Sequence, residues 1–297
     1  MSDELKGRYL EIPRRSQTNY QAVSNSEAMT YLHCEKKHYF QFALGLQSRN
    51  HPDPLQHGKL GHQVLHHYYK TRKAGSGHQD AVGAAMDVYH NDQTTPTLVK
   101  MANMTKLLQY FDHYKDDDFK VLLVEEPVQI TLANSIYPFT ADLVIEYPSG
   151  AIVLWDHKIV EKFWNDNRPK YEPQLYKYVF ALREKGYNVT QAKYNFIKTV
   201  DAKDGEQFKR VPIKLNNTKI KNMMRDHEDA AERIIQRRRI PVAQYKNQSI
   251  RNLSYACDRC QFKLLCELEL EGRDISRTMA LEFEPNDDYG YQPATPA

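Results

Sequence analysis

The chain has 297 residues, of which 41% are hydrophobic and 27% charged, and a formal net charge of +3. That length can bury a sizeable core, no stretch approaches the 18 apolar residues of a membrane span, and the opening MSDELKGRYLEIPRR lacks the apolar run of a secretory signal. A reducing cytoplasm is therefore the expected compartment, and the small charge excess neither demands nor excludes nucleic acid.

Residues 1–23 show no periodicity and read as an irregular lead-in. Ser26 is placed to cap a helix reaching to about Leu44, with Ala28, Tyr31, Leu32, Tyr39 and Phe42 on its apolar side. Leu55 to Arg72 reads as a second helix closed by Gly75-Ser76-Gly77, and helices are expected over 79–91 and 95–115. The pattern then becomes strand-like at Val121–Val124, Val128–Leu132, Ala141–Tyr147 and Ala151–Asp156. A helix from Tyr171 to Lys185 follows, then strands at Ala192–Thr199 and Val211–Leu215, and a long charged helix to Arg239. Its Gln236-Arg237-Arg238-Arg239 run reads as a solvated helix end. Three cysteines fall in 254–272, and 273–297 reads as a disordered Tyr/Pro-rich tail. Helices, strands, then helix, strand and helix predict one α/β domain over 24–272 with a mixed central sheet.

The chemistry concentrates in ADLVIEYPSGAIVLWDHK, Ala141 to Lys158. Pro148-Ser149-Gly150 is a turn, so a hairpin is expected. With a three-residue loop Tyr147 faces Ala151, and continuing the register outward sets Asp142 opposite Asp156, with Lys158 on the same face as Asp156. Two carboxylates facing each other at about 5 Å destabilise a strand pair unless a cation sits between them. Mg²⁺ prefers such oxygen ligands, and a nearby lysine orients a metal-activated water or balances developing charge. Asp-x-Lys also occurs at Asp118-Phe119-Lys120 and Asp201-Ala202-Lys203, but only Asp156 ends an apolar strand with a matched acid across a turn.

Two helices add polar groups. Gly58 and His62 share a face of the second helix at i and i+4; the glycine would let another backbone approach, and the imidazole can ligate a metal. Gln174 and Tyr178 share a face of the helix after the hairpin and can bond a phosphate or a water, and a tyrosine can stack on a base.

In this order, G-x-x-x-H, an Asp hairpin ending in D-x-K, and Q-x-x-x-Y resemble the RecB-like branch of the PD-(D/E)XK nucleases across roughly 26–270. The resemblance implies a restriction-endonuclease-like core, its mixed sheet flanked by helices. It further implies a catalytic Mg²⁺ or Mn²⁺ on His62, Asp142, Asp156 and the backbone carbonyl of His157, a catalytic Lys158, and Gln174 and Tyr178 holding substrate or ordering the site. Glu125 or Glu126 matches a further glutamate of some members. Ala141 stands where the superfamily's name has Pro.

The four cysteines are Cys34, Cys257, Cys260 and Cys266. C-x₂-C-x₅-C plus one distant thiol suits either a closed zinc site or an iron–sulfur cluster, and spacing does not separate them. Here too the pattern resembles the iron–sulfur exonucleases related to AddB and the CRISPR-associated RecB-like family. That implies a cluster, 4Fe-4S before 2Fe-2S or zinc, clasping the two ends of the chain, and closing so long a loop removes unfolded-state entropy. The implied function is a metal-dependent DNA exonuclease that processes ends or single-stranded tails in recombination, repair or phage or CRISPR DNA metabolism. The alternative is a non-catalytic DNA-binding module with a structural four-cysteine zinc site.

Overall fold

A computed structural model describes residues 21–50, 53–93, 95–165, 167–201 and 205–286. Ser24, not Ser26, caps α1 (Asn25–His33), its hydroxyl accepting the Glu27 amide at 3.2 Å. Cys34 then interrupts the expected long helix with an extended backbone at φ −165°, and its sulfur caps α2 (Glu35–His38). A π-helical turn, Tyr39–Ala43, and β1 (Leu46–Ser48) follow. The next helices are α3 (Asp53–Lys73), α4 (His78–Asn91) and α5 (Thr97–His113). The two strands expected at 121–132 merge into β2 (Lys120–Thr131), which β3 (Ile136–Glu146) and β4 (Ile152–Val160) follow.

The helix expected from Tyr171 is split at Glu172-Pro173 into a single turn, α6 (Arg168–Tyr171), and α7 (Gln174–Glu184). Pro173 can stand at the mouth of a helix but not within one. Then come β5 (Val189–Lys198), β6 (Phe208–Ile213), α8 (Asn217–Arg238) and α9 (Val242–Gln248). A 3₁₀ turn at Tyr255–Arg259 leads to α10 (Lys263–Leu270), α11 (Ser276–Glu282) and β7 (Phe283–Pro285).

The expected disordered tail is therefore structured through much of its length. β7 pairs antiparallel with β1, Leu46 opposite Pro285 and Ser48 opposite Phe283. The reason is apolar: Ile275 and Phe283 are buried with Phe40, Leu46 and Phe262. The remainder of the tail, 287–297, and residues 1–20 of the lead-in lie outside the described residues; within 21–23, Val23 is fully buried.

By its internal packing the chain divides into two compact units. One comprises the described residues within 1–50, 131–137 and 226–297. Its core joins the aromatic turn after α2 to α9 and α10, and a second cluster packs Ala28 and Tyr31 of α1 on Ala230, Ala231 and Ile234 of α8. The arginine run is a solvated helix end only in part: Gln236 and Arg239 are exposed, but Arg237 and Arg238 are engaged. Arg238 is 3% exposed and bonds Glu27 at 2.7 Å, which also meets His38 at 3.1 Å, while Arg237 reaches Glu35 at 3.3 Å. A buried carboxylate needs such partners, so Arg238 and, with it, Arg237 are structural.

The other unit, His51–Ile130 and Pro138–Arg225, holds nearly all of a five-stranded mixed sheet of order β2-β3-β4-β5-β6. β3 and β4 are antiparallel, β4 and β5 parallel, β5 and β6 antiparallel. Leu60, Val64 and Tyr68 of α3, Ala85 of α4 and Phe111 of α5 pack with Val153 and Trp155 of β4. Alternation sends Asp156 and Lys158 to the opposite face, alongside Tyr194 and Phe196 of β5. The close helix–strand approach assigned to Gly58 belongs to Gly61: a Cβ there would lie 1.9 Å from the Ile159 Cδ1, whereas nothing lies within 4 Å of one at Gly58.

Candidate metal centre

The hairpin register sets the carboxylates. Tyr147 N–H donates to the Ala151 carbonyl at 3.0 Å, and Leu143 pairs with Trp155, so the next pair outward is Asp142 and Asp156. Asp142 Oδ2 accepts the His157 amide at 2.7 Å, which fixes one acid against the backbone that follows the other. On the α3 side, His62 Nδ1 lies 3.6 Å from Asp142 Oδ2 and 3.4 Å from Glu125 Oε1. Ligand atoms of His62, Glu125 and Asp142 all fall within 4.8 Å of one another, the one such group among the described residues. Imidazole nitrogen with carboxylate oxygens is a donor set for Mg²⁺ or Mn²⁺.

Of the two glutamates, Glu125 is the one that lies beside His62. Its φ is 43°, the one positive value among the described non-glycine residues. The twist breaks strand alternation, with Leu123 and Val124 both buried, and turns Glu125 toward His62 and His66 while Glu126 pairs with Lys73. Such backbone costs about 1–3 kcal/mol and persists where surrounding structure imposes it.

The electrostatics describe a site with surplus negative charge. Burial, then the neighbouring Asp156, push the Asp142 carboxyl up to about 7, against relief from His62, Lys158 and the His157 amide. Burial acts to lower the His62 pKa, but Glu125, Asp142 and Asp156 outweigh it and hold the imidazole above its ordinary value. Lys158 Nζ sits 2.5 Å from Asp156 Oδ2; burial opposes its charge, yet Asp156 keeps its pKa raised and the ammonium intact.

The remaining expected residues surround this group. Gln174 Nε2 donates to Tyr178 Oη at 3.1 Å. Burial first, then Asp156 and Asp142, raise the Tyr178 hydroxyl against the lowering from Gln174, so it stays protonated. The His157 side chain faces the core, stacked on Tyr69 at 5.6 Å and bonded to Asn195 at 2.8 Å, and burial holds it well below its usual pKa and neutral. Asn195 escaped the sequence reading because one asparagine in a strand carries no pattern. Of the other Asp-x-Lys pairs, Asp201 is an ion-pair partner of Lys106 and Asp118 and Lys120 line an open surface hollow.

The four thiols are free and lie in the other unit, lining one cavity of about 100 Å³ with Lys36, Lys37, Arg251 and Lys263 near them. The Lys37 amide approaches the Cys34 sulfur at 3.5 Å, and burial raises the Cys260 thiol. No helix among the described residues is long and apolar enough to cross a membrane.

No curated protein matches the chain. Among solved structures, it is similar to a candidate exonuclease from Eubacterium rectale, at 11% identity over 87% of this chain and 92% of that one, with a TM-score of 0.45. It is also similar to the protein SSO0001, at 11% identity over 89% and 92%, with a TM-score of 0.38. The family description that matches residues 22–267 is the PD-(D/E)XK nuclease superfamily. With that match across most of its length, the chain belongs to the PD-(D/E)XK nuclease superfamily.

Proposed function

We propose that the protein is a Mg²⁺- or Mn²⁺-dependent deoxyribonuclease that trims DNA ends, single-stranded tails in particular, in recombination, repair or phage or CRISPR DNA metabolism. The observation that carries this reading is the convergence of His62, Glu125 and Asp142 within 4.8 Å beside the Asp156–Lys158 pair. Those residues, with Asp156 and the backbone carbonyl of His157, would hold the ion. When bound, it makes hydroxide available near neutral pH and stabilises charge on a phosphodiester. Lys158, kept cationic, orients the attacking water and offsets charge as it builds on the phosphate. Tyr178 keeps its proton and offers a hydroxyl donor, held in place by Gln174.

The reading assigns Cys34, Cys257, Cys260 and Cys266 to an iron–sulfur cluster, 4Fe-4S in preference to 2Fe-2S or zinc. A single zinc ion about 2.3 Å from four sulfurs would draw them to within about 4 Å of each other. No three of these thiols form a group within 4.8 Å among the described residues, and their cavity of about 100 Å³ is far larger than one water-sized occupant needs. Lys36 and Arg251 beside the cavity pair with Glu269 and Lys263 with Asp258, while the Lys37 amide 3.5 Å from the Cys34 sulfur supports a thiolate there.

Digestion of end-labelled DNA with Mn²⁺, comparing the unsubstituted protein with Asp156→Ala, tests the proposal. Loss of activity by about two orders of magnitude or more is expected. Equal residual activity in both proteins would favour a non-catalytic DNA-binding module instead.

A further inference from the structure

Beyond Lys158, the chain builds a surface that the metal centre does not account for. Trp164 packs on Tyr194 and Phe196 of β5, at 5.0 and 5.3 Å between rings, and two cations approach its indole. Lys158 Nζ lies 5.7 Å from the ring centroid and the Arg168 guanidinium carbon 3.9 Å from it. Arg168 is exposed, and a planar guanidinium stacked on an indole still presents its edge donors to an anion. Tyr171, three residues on, is 78% exposed.

α6 leads from this pair straight into a groove of about 780 Å³ between the edge strand β6 and the first turns of α8. Lys170, Lys214 and Lys219 line it, and no carboxylate does. The rest of its wall includes Tyr176, Pro212 and Met223. Lys219 is fixed in the groove, donating to the Lys170 carbonyl and to Tyr176 Oη. A groove that combines lysines with aromatic and apolar surface matches an unpaired strand, whose phosphates need cations and whose bases need flat faces. A duplex keeps its base faces stacked inside and offers mainly phosphate.

We propose that the Arg168–Trp164 pair and the β6–α8 groove form a binding track for the single-stranded part of the substrate, with Arg168, Lys170, Lys214 and Lys219 taking phosphates and Trp164 and Tyr171 facing bases. This deepens the nuclease reading and rests on it for the identity of the polymer. It gives single-strand preference a physical source separate from the metal ligands.

The test is equilibrium binding by fluorescence anisotropy of a labelled single-stranded oligonucleotide and of a blunt duplex, across a salt series. Both are measured in an Asp156→Ala background so that nothing is cut. Lys170→Ala combined with Lys214→Ala, two exposed positions, is compared with Lys185→Ala combined with Lys221→Ala, which removes the same charge outside the groove. The groove pair should weaken single-strand binding on the order of tenfold and flatten its salt slope by about 0.7 for each lysine, with a smaller effect on the duplex. Arg168→Ala should weaken it further, and melting temperatures confirm that each variant is folded. Single-strand affinity and salt slope equal to those of the control pair overturn the track and leave the groove to another partner. An equal loss on duplex overturns its single-strand character. Failure of the nuclease reading is read separately, from absence of Mn²⁺-dependent cutting by the unsubstituted protein.

Discussion

Glu125 carries a strained backbone within a strand, and that strain places its carboxylate 3.4 Å from His62. If it is a ligand, Glu125→Ala should lower Mn²⁺ affinity by about 10- to 100-fold in calorimetric titration, whereas Glu126→Ala should leave it unchanged. Equal effects would remove Glu125 from the site. The neighbouring acid gives a pH test. Folding raises the Asp142 pKa from 3.8 to about 7, so between those values the folded state holds more protons than the unfolded one. Metal-free stability therefore declines as pH rises through that window. A cation offsets the charge that causes the decline, so Mn²⁺ should raise the melting temperature more at pH 8 than at pH 6. A shift independent of pH would show that Asp142 does not meet the ion.

At the scale of elements, the centre depends on how closely α3 approaches β4. Gly61 leaves no room for a Cβ beside Ile159, while Gly58 faces open space. Gly61→Ala should cost about 1–3 kcal/mol and weaken Mn²⁺ binding by displacing His62 one position along the helix. Adding Ile159→Val, which removes the Cδ1 methyl, should restore most of both. Gly58→Ala should instead stabilise by about 0.5–1 kcal/mol, as alanine does within helices. Denaturant melts of the four proteins check this, and a destabilising Gly58→Ala would reverse the assignment of the close approach. The register of β3 and β4 was legible beforehand because a three-residue turn leaves one pairing that buries both apolar faces. The break at Cys34 was not, because no proline or glycine marks it.

For the whole molecule, the four cysteines bring together segments roughly 220 residues apart in sequence, and a cluster held there would add stability through the unfolded state. Protein purified without oxygen should carry iron and absorb visible light, and Cys260→Ala should lose both and melt lower by about 10 °C, the scale expected for several kcal/mol in a chain of this size. Stoichiometric zinc without colour would overturn the cluster. The sequence by itself determined the candidate pattern: His62, Asp142, Asp156, Lys158, Gln174 and Tyr178 occur at spacings dictated by helix and strand periodicity, and local geometry suffices to align them within each element. Tertiary structure decided what depends on distant partners. It placed Glu125 rather than Glu126 beside His62, exchanged Gly58 for Gly61 at the close approach, buried Arg238 against Glu27, and drew Phe283 from a supposed tail into a strand opposite Ser48. Each of these turns on burial and on charges brought together from remote parts of the chain, which no local periodicity records.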